Sequence, residues 1–92
     1  MKLTSIPIQN DQVNMYVHDS LGYVFFPEGG KVRVINPTGV DVWNAINGSN
    51  TIQNIIQQLT DLYDHNSHSL QTEVMNFLLH LQNRSLIYLK EE

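Results

Sequence analysis

The chain has 92 residues, enough for one domain that buries roughly 60 to 65% of its unfolded surface without disulfides or metal. It contains no cysteine, which excludes a disulfide framework, a thiolate zinc site and a cysteine nucleophile. Its formal net charge of −4 argues against a partner held mainly through phosphates. The sequence has no pattern typical of a secretion signal or a membrane span, so we expect a cytoplasmic protein that does not bind membranes.

The N-terminal third is predicted to contain a lead-in and three strands. Residues 1–12 combine Pro7 with a polar Gln-Asn-Asp-Gln cluster, and we expect a flexible segment there. The domain itself is predicted to span residues 13–92. Alternating or β-branched runs at residues 13–18, 23–26 and 31–35 predict the strands, with turns between them. Two cations on the third of these strands are typical of a protected sheet edge.

Three helices are predicted after the strands. The first begins at Pro37, where Asn36 can cap it, and ends before an Asn-Gly pair. The second begins near Asn50 or Thr51, either of which can cap it, and Gln53 can form a capping box with Asn50. The third is predicted to begin within residues 66–69 and to end near residue 84. A short apolar segment at 86–89 is expected to return as a strand or extended tail against the core.

This order of elements defines a fold class. A three-stranded antiparallel sheet followed by a three-helix bundle predicts an α+β domain of the winged helix-turn-helix type. In DNA-binding members of that class, the last helix enters the major groove, with cations around it on phosphates. The second and third predicted helices together carry one cation, Arg84. Because the cations there are so few, no nucleic acid partner is expected. A DNA-binding transcriptional regulator is kept only as the alternative function.

Motifs for catalysis or metal binding are weak. His65 and His68 form the tightest histidine pair, but both lie in a polar loop with only Asp64 near them in sequence. Solvated loop histidines are the better interpretation, because a metal site needs three or four ligands on rigid elements. The sequence has no nucleophile elbow, nucleotide-binding loop or carboxylate pair. We therefore expect no enzyme activity, no metal and no cofactor.

The third predicted helix has an apolar arc wider than one small core requires. Leu70, Val74, Phe77 and Leu81 form the expected core stripe, and further apolar residues flank it. These flanking residues can pack on the sheet or on the segment at 86–89. If they lie beside the third strand instead, they form a groove suited to strand addition by a peptide. The predicted peptide-binding residues are Lys31, Val32, Arg33, Val34, Ile35, Met75, Leu78, Leu79 and Gln82.

Several motifs together resemble the PqqD family over about residues 13–90. They are the phrase Phe-Phe-Pro-Glu-Gly-Gly-Lys-Val-Arg-Val-Ile-Asn-Pro-Thr-Gly-Val-Asp-Val-Trp at 25–43, then Asn47-Gly48, Thr51-Ile52, Ile55-Ile56, Glu73-Val74, Phe77-Leu78 and Arg84. The resemblance implies a recognition element for ribosomally made, post-translationally modified peptides. Such a protein binds the leader of a precursor peptide as an added strand beside the third strand and third helix. It then presents the precursor to a radical S-adenosylmethionine enzyme or a leader peptidase.

The pathway stays open at the level of sequence. Members dedicated to pyrroloquinoline quinone usually have Arg-Gly-Trp where this chain has Arg84-Ser85-Leu86. The helix start Asn-Pro-Thr-Gly is equally similar to stand-alone elements of lasso-peptide and sactipeptide clusters. Whether the chain is a monomer or a dimer that exchanges its N-terminal strands also stays open.

Overall fold

The computed structural model describes residues 1–25, 32–63 and 67–90. In chain order, the elements are β1 (Ile6–Gln9), β2 (Asn14–His18), β3 (Leu21–Phe25), β4 (Val32–Ile35), α1 (Pro37–Ala45), α2 (Ile52–Tyr63), α3 (Ser67–Asn83) and β5 (Ile87–Lys90). Strands β2, β3 and β4 form an antiparallel sheet in that order, and the three helices follow it. The predicted fold class is therefore confirmed.

A second sheet of two strands differs from the expected lead-in. Strand β1 pairs antiparallel with β5, from Ile6 opposite Lys90 to Gln9 opposite Ile87. The predicted return of the segment at 86–89 is thus confirmed, but its partner is a segment that was expected to be flexible. Ser5 and Pro7 are buried.

The residues around β1 also satisfy the ends of two helices, and we call residues 2–10 the N-terminal strap. The carbonyls of Leu3 and Ser5 accept hydrogen bonds of 2.9 Å each from the first amides of α2. The Gln9 amide group donates to the carbonyls of Trp43 and Ile46 at the end of α1, at 2.9 and 3.0 Å. Helix termini leave such groups without intrahelical partners. The strap therefore stabilises the helices as well as the second sheet.

Side-chain caps define the beginnings of α1 and α2. The Asn36 side chain accepts a 2.7 Å hydrogen bond from the amide of Gly39, as predicted for an N-cap. Of the two predicted caps of α2, Thr51 is the one that is used, and it forms the capping box with Asn54 through hydrogen bonds of 2.9 and 3.1 Å, rather than Asn50 with Gln53. Asn50 instead donates to the carbonyl of Ala45 at the end of α1.

The core lies between the three-stranded sheet and the helices. Its buried residues come from every helix and from β3, β4 and β5: Val24, Ile35, Val40, Val42, Trp43, Ile46, Ile52, Ile55, Ile56, Leu59, Leu70, Val74, Leu78, Leu81, Leu86 and Ile87. Gly22 on β3 is closely packed, since a Cβ there would lie 2.9 Å from Val40 Cγ2. This close approach holds α1 against the sheet.

One polar contact joins α1 to the last turn of α2. The Tyr63 hydroxyl donates a hydrogen bond to a carboxylate oxygen of Asp41. Partial burial raises the pKa of Tyr63, and the hydrogen bond and the negative charge of Asp41 raise it further. A hydrogen bond with Thr38 acts in the opposite direction. The folded protein therefore retains the phenol proton to a higher pH than an unfolded chain does.

Candidate binding groove

A groove of about 340 Å³ lies between β4 and the C-terminal half of α3. Ile35, Leu81 and Leu86 line it and are all buried in the core, so its floor is apolar. The remaining lining residues are Val32, Arg33, Val34, Phe77, His80 and Arg84. An apolar floor with cations at its rim suits an apolar side chain that is accompanied by a polar or charged one.

Strand β4 borders this groove and forms one edge of its sheet. It pairs with β3 on one side, and no strand in the described part of the chain pairs with its other side. Val32 and Val34 are 58% and 62% exposed although they are apolar and β-branched. An edge strand with unpaired backbone groups can pair with an additional strand. The exposed edge and the apolar groove thus lie beside one another.

Gly39 allows the floor of the groove to form. A Cβ placed on Gly39 would lie 2.3 Å from Ile35 Cγ2 and 2.9 Å from Phe77 Cζ. A helix residue with a side chain would therefore push β4 or α3 away. Phe77 also lines a second cavity of about 270 Å³, between the N-terminal part of α1 and α3.

Arg84 is held at the end of the groove by the preceding turn of α3. Its NH1 nitrogen lies 3.1 Å from His80 Nδ1 and 3.3 Å from the carbonyl oxygen of His80. Because a guanidinium can only donate, the Nδ1 atom accepts, and the imidazole proton is then on Nε2. This contact fixes one nitrogen of the guanidinium against His80.

The strand part of the predicted site agrees with this geometry. Val32, Arg33, Val34 and Ile35 all line the groove. Lys31 lies outside the described residues, as does the predicted Pro-Glu-Gly-Gly turn before it.

The residues predicted on the helix do not line this groove. Leu78 is 0% exposed and belongs to the core, and Met75 is partly buried against it. Leu79 is 47% exposed and Gln82 is also exposed, but neither lines the groove. Phe77, His80 and Leu81 of α3 do line it, as does Arg84 directly after the helix.

Helix geometry explains why the residues predicted on α3 lie apart from this groove. The buried residues Leu70, Val74 and Leu81 form a stripe along α3, and at 3.6 residues per turn this stripe has two flanks. His80 and Arg84 lie on the flank that faces β4, whereas Leu79 and Gln82 lie on the other side. The sequence favoured the more apolar flank. The sequence signal for the flank that faces β4 was the pair of cations, Arg33 on β4 and Arg84 directly after α3.

Metal-binding clusters and membrane spans were also sought in the described ranges. No group of three or more His, Asp or Glu residues there is arranged to hold a metal ion. His65 lies outside those ranges, and the side chain of His68 is likewise not described. No helix in the described ranges is long and apolar enough to cross a membrane.

The sheet, the helices and the groove together define a winged helix-turn-helix domain with an accessible sheet edge. The chain belongs to the PqqD family, since the model of that family, described as "Coenzyme PQQ synthesis protein D (PqqD)", matches residues 23–87. The predicted resemblance is thereby confirmed. Among solved structures, "TbiB1 in Complex with the TbiA(beta) Leader Peptide" has a similar fold, with a TM-score of 0.76 and 16% identity. The similarity covers 87% of this chain and 93% of that one. No curated protein matches the chain.

Proposed function

We propose that this protein binds the leader region of a ribosomally made precursor peptide and delivers the precursor to a maturation enzyme. The leader adds as a strand to the free edge of β4, and alternate leader side chains enter the groove beside α3. In strand addition, main-chain hydrogen bonds supply affinity and side-chain pockets supply specificity. The protein acts without catalysis of its own, in the cytoplasm, with a radical S-adenosylmethionine enzyme or a leader peptidase as its partner.

The observation that carries this proposal is the position of an unpaired strand edge along an apolar groove. Both features are needed, because an edge alone gives little sequence preference and a groove alone gives no backbone pairing. Membership of the PqqD family supports the same function. So does the similar fold of TbiB1, a protein solved with a leader peptide.

The proposal is tested by titrating the parent protein with the leader of a precursor peptide encoded beside its gene. Amide shifts in NMR are expected in residues 32–35 and along the groove side of α3. Binding should depend on salt far less steeply than binding to phosphates does, because main-chain hydrogen bonds and apolar contacts supply a large part of the affinity.

Matched variants locate the binding surface. Val34→Asp places a carboxylate at the exposed edge of β4 and is expected to raise the Kd by about tenfold or more. Leu79→Asp makes the same chemical change on the exposed side of α3 that does not line the groove, so it should leave the Kd unchanged. Both side chains are largely exposed, and both variants should fold. Equal losses in both variants would contradict the proposed location.

The alternative is the DNA-binding regulator, and the same experiment separates it. An interface led by phosphates loses affinity steeply as salt is added. Mixed-sequence duplex DNA is therefore titrated at the same two salt concentrations as the leader. Tight duplex binding without leader binding would replace the proposed function with the alternative.

A further inference from the structure

Two of the five Lys and Arg residues of this acidic chain line the groove: Arg33 and Arg84. Arg33 lies on β4 and Arg84 at the end of α3, so the two cations come from opposite walls. A chain with a net charge of −4 thus presents a locally positive rim around an apolar floor. Such a distribution favours a ligand of opposite charge at that position.

We propose that the groove selects leaders in which an Asp or Glu side chain lies beside an apolar side chain. This inference rests on the proposed function and adds the chemistry of the peptide. The apolar side chain packs on Phe77 and Leu81, and the carboxylate pairs with Arg84. Arg33 adds positive charge from the opposite wall.

Arg84 has free capacity for a carboxylate. Within the described ranges, the guanidinium of Arg84 has protein acceptors at NH1 alone, and both acceptors are atoms of His80. No carboxylate of those ranges lies within ion-pair distance of Arg33 or Arg84. The ion pair that the described ranges do contain joins His18 to Asp19. A guanidinium has five N–H donors, so Nε and NH2 can still bind a carboxylate in the fork geometry that arginine prefers.

His80 acts as a positioning residue for this contact. Its Nδ1 atom and carbonyl oxygen hold one arm of the guanidinium, which reduces the freedom that Arg84 must lose when it binds a ligand. An exposed arginine–carboxylate pair contributes little by itself. A peptide strand that covers the groove removes water from the pair, and loss of one partner then has a large effect on affinity.

The test uses a display library of random linear peptides, selected separately on the parent protein, on Arg84→Gln and on Lys90→Gln. Lys90 is an exposed cation at the end of β5 that does not line the groove, so its variant loses the same charge elsewhere. The parent and Lys90→Gln are expected to enrich peptides with an acidic residue at a fixed distance from an apolar one. Arg84→Gln should lose that acidic preference.

A second measurement uses the parent protein and two synthetic peptides, so it does not depend on the folding of a variant. One peptide carries the enriched acidic residue and the other its amide, Gln or Asn. The acidic peptide is expected to bind the parent about ten- to a hundredfold more tightly.

The outcomes distinguish this inference from the proposed function. Enriched peptides that shift the amides of residues 32–35 but bind equally well as acid and amide would overturn the acidic preference and leave strand addition intact. Equal acidic preference in the parent and Arg84→Gln would also overturn it. If neither the library nor the neighbouring leader yields a peptide that binds, the proposed function and this inference both fail.

Discussion

Gly39→Ala is expected to destabilise the protein, although alanine favours helices. A Cβ at this position would lie 2.3 Å from Ile35 Cγ2 and 2.9 Å from Phe77 Cζ, distances at which the neighbours must move. The helix preference of alanine over glycine contributes about 0.5–1 kcal/mol in favour of the variant. Overpacking a core contact costs roughly 1–3 kcal/mol. At mid-range values the steric term of about 2 kcal/mol exceeds the helix term of about 0.75 kcal/mol, so the free energy of unfolding should fall by roughly 1 kcal/mol.

Urea unfolding followed by circular dichroism measures this difference, and a comparable dependence on urea shows that both proteins unfold in the same way. Each kcal/mol lowers the Tm of a domain of this size by about 4–8 °C. Asn44→Ala is the matched control, because Asn44 is an exposed residue of the same helix. It should be neutral or slightly stabilising. A Gly39→Ala protein that is as stable as the parent would refute the steric argument.

Three further outcomes are expected. Gln9→Ala removes the donor to two carbonyls at the end of α1 and should lower the free energy of unfolding by roughly 1–2 kcal/mol. Gln12→Ala, at an exposed position, should change it by less than about 0.5 kcal/mol, and equal melting of the two variants would contradict the role of the strap. Thr51→Ala breaks the capping box of α2 and should cost about 1 kcal/mol in the same assay, whereas an unchanged Tm would exclude a stabilising cap. Tyr63→Phe tests the raised pKa: the stability that the phenol proton contributes is present below about pH 10 and is lost as the pH rises through the folded-state pKa. The Tm of parent and variant is measured over a pH series. A Tm difference that stays constant through that window would contradict this linkage.

The sequence predicted the three-stranded sheet, the three helices and the returning C-terminal segment because each has a local signal. Alternating residues, turns and caps lie within a few positions of one another. Strand β1 has no such signal. It is four residues long, contains Pro7 and runs directly into polar residues at 10–12, all of which disfavour a strand. Its stability comes from β5 and from the helix ends, which are distant in sequence.

The candidate site was predicted in part for a similar reason. A hydrophobic pattern identifies the buried stripe of α3, but it does not say which flank of that stripe faces β4. The sequence placed Phe77 in the core stripe and Leu79 in the groove, and only the packing of α1 and β4 against α3 shows that Phe77 lines the groove and Leu79 does not. The capping box of α2 moved by one residue because Asn50 is used at the end of α1. Several polar residues in one turn offered alternative caps.

The ladder between β1 and β5 joins Ile6 to Lys90, so its formation depends on contacts between segments that are far apart in the chain. Closing so large a loop has a high entropic cost, and contacts of this range slow folding. The hairpins and helices can form before it. We expect the two strands to dock late in folding and to open early in native-state hydrogen exchange. The amides of β1 and β5 should then exchange by sub-global opening, while those of α2 exchange by global unfolding.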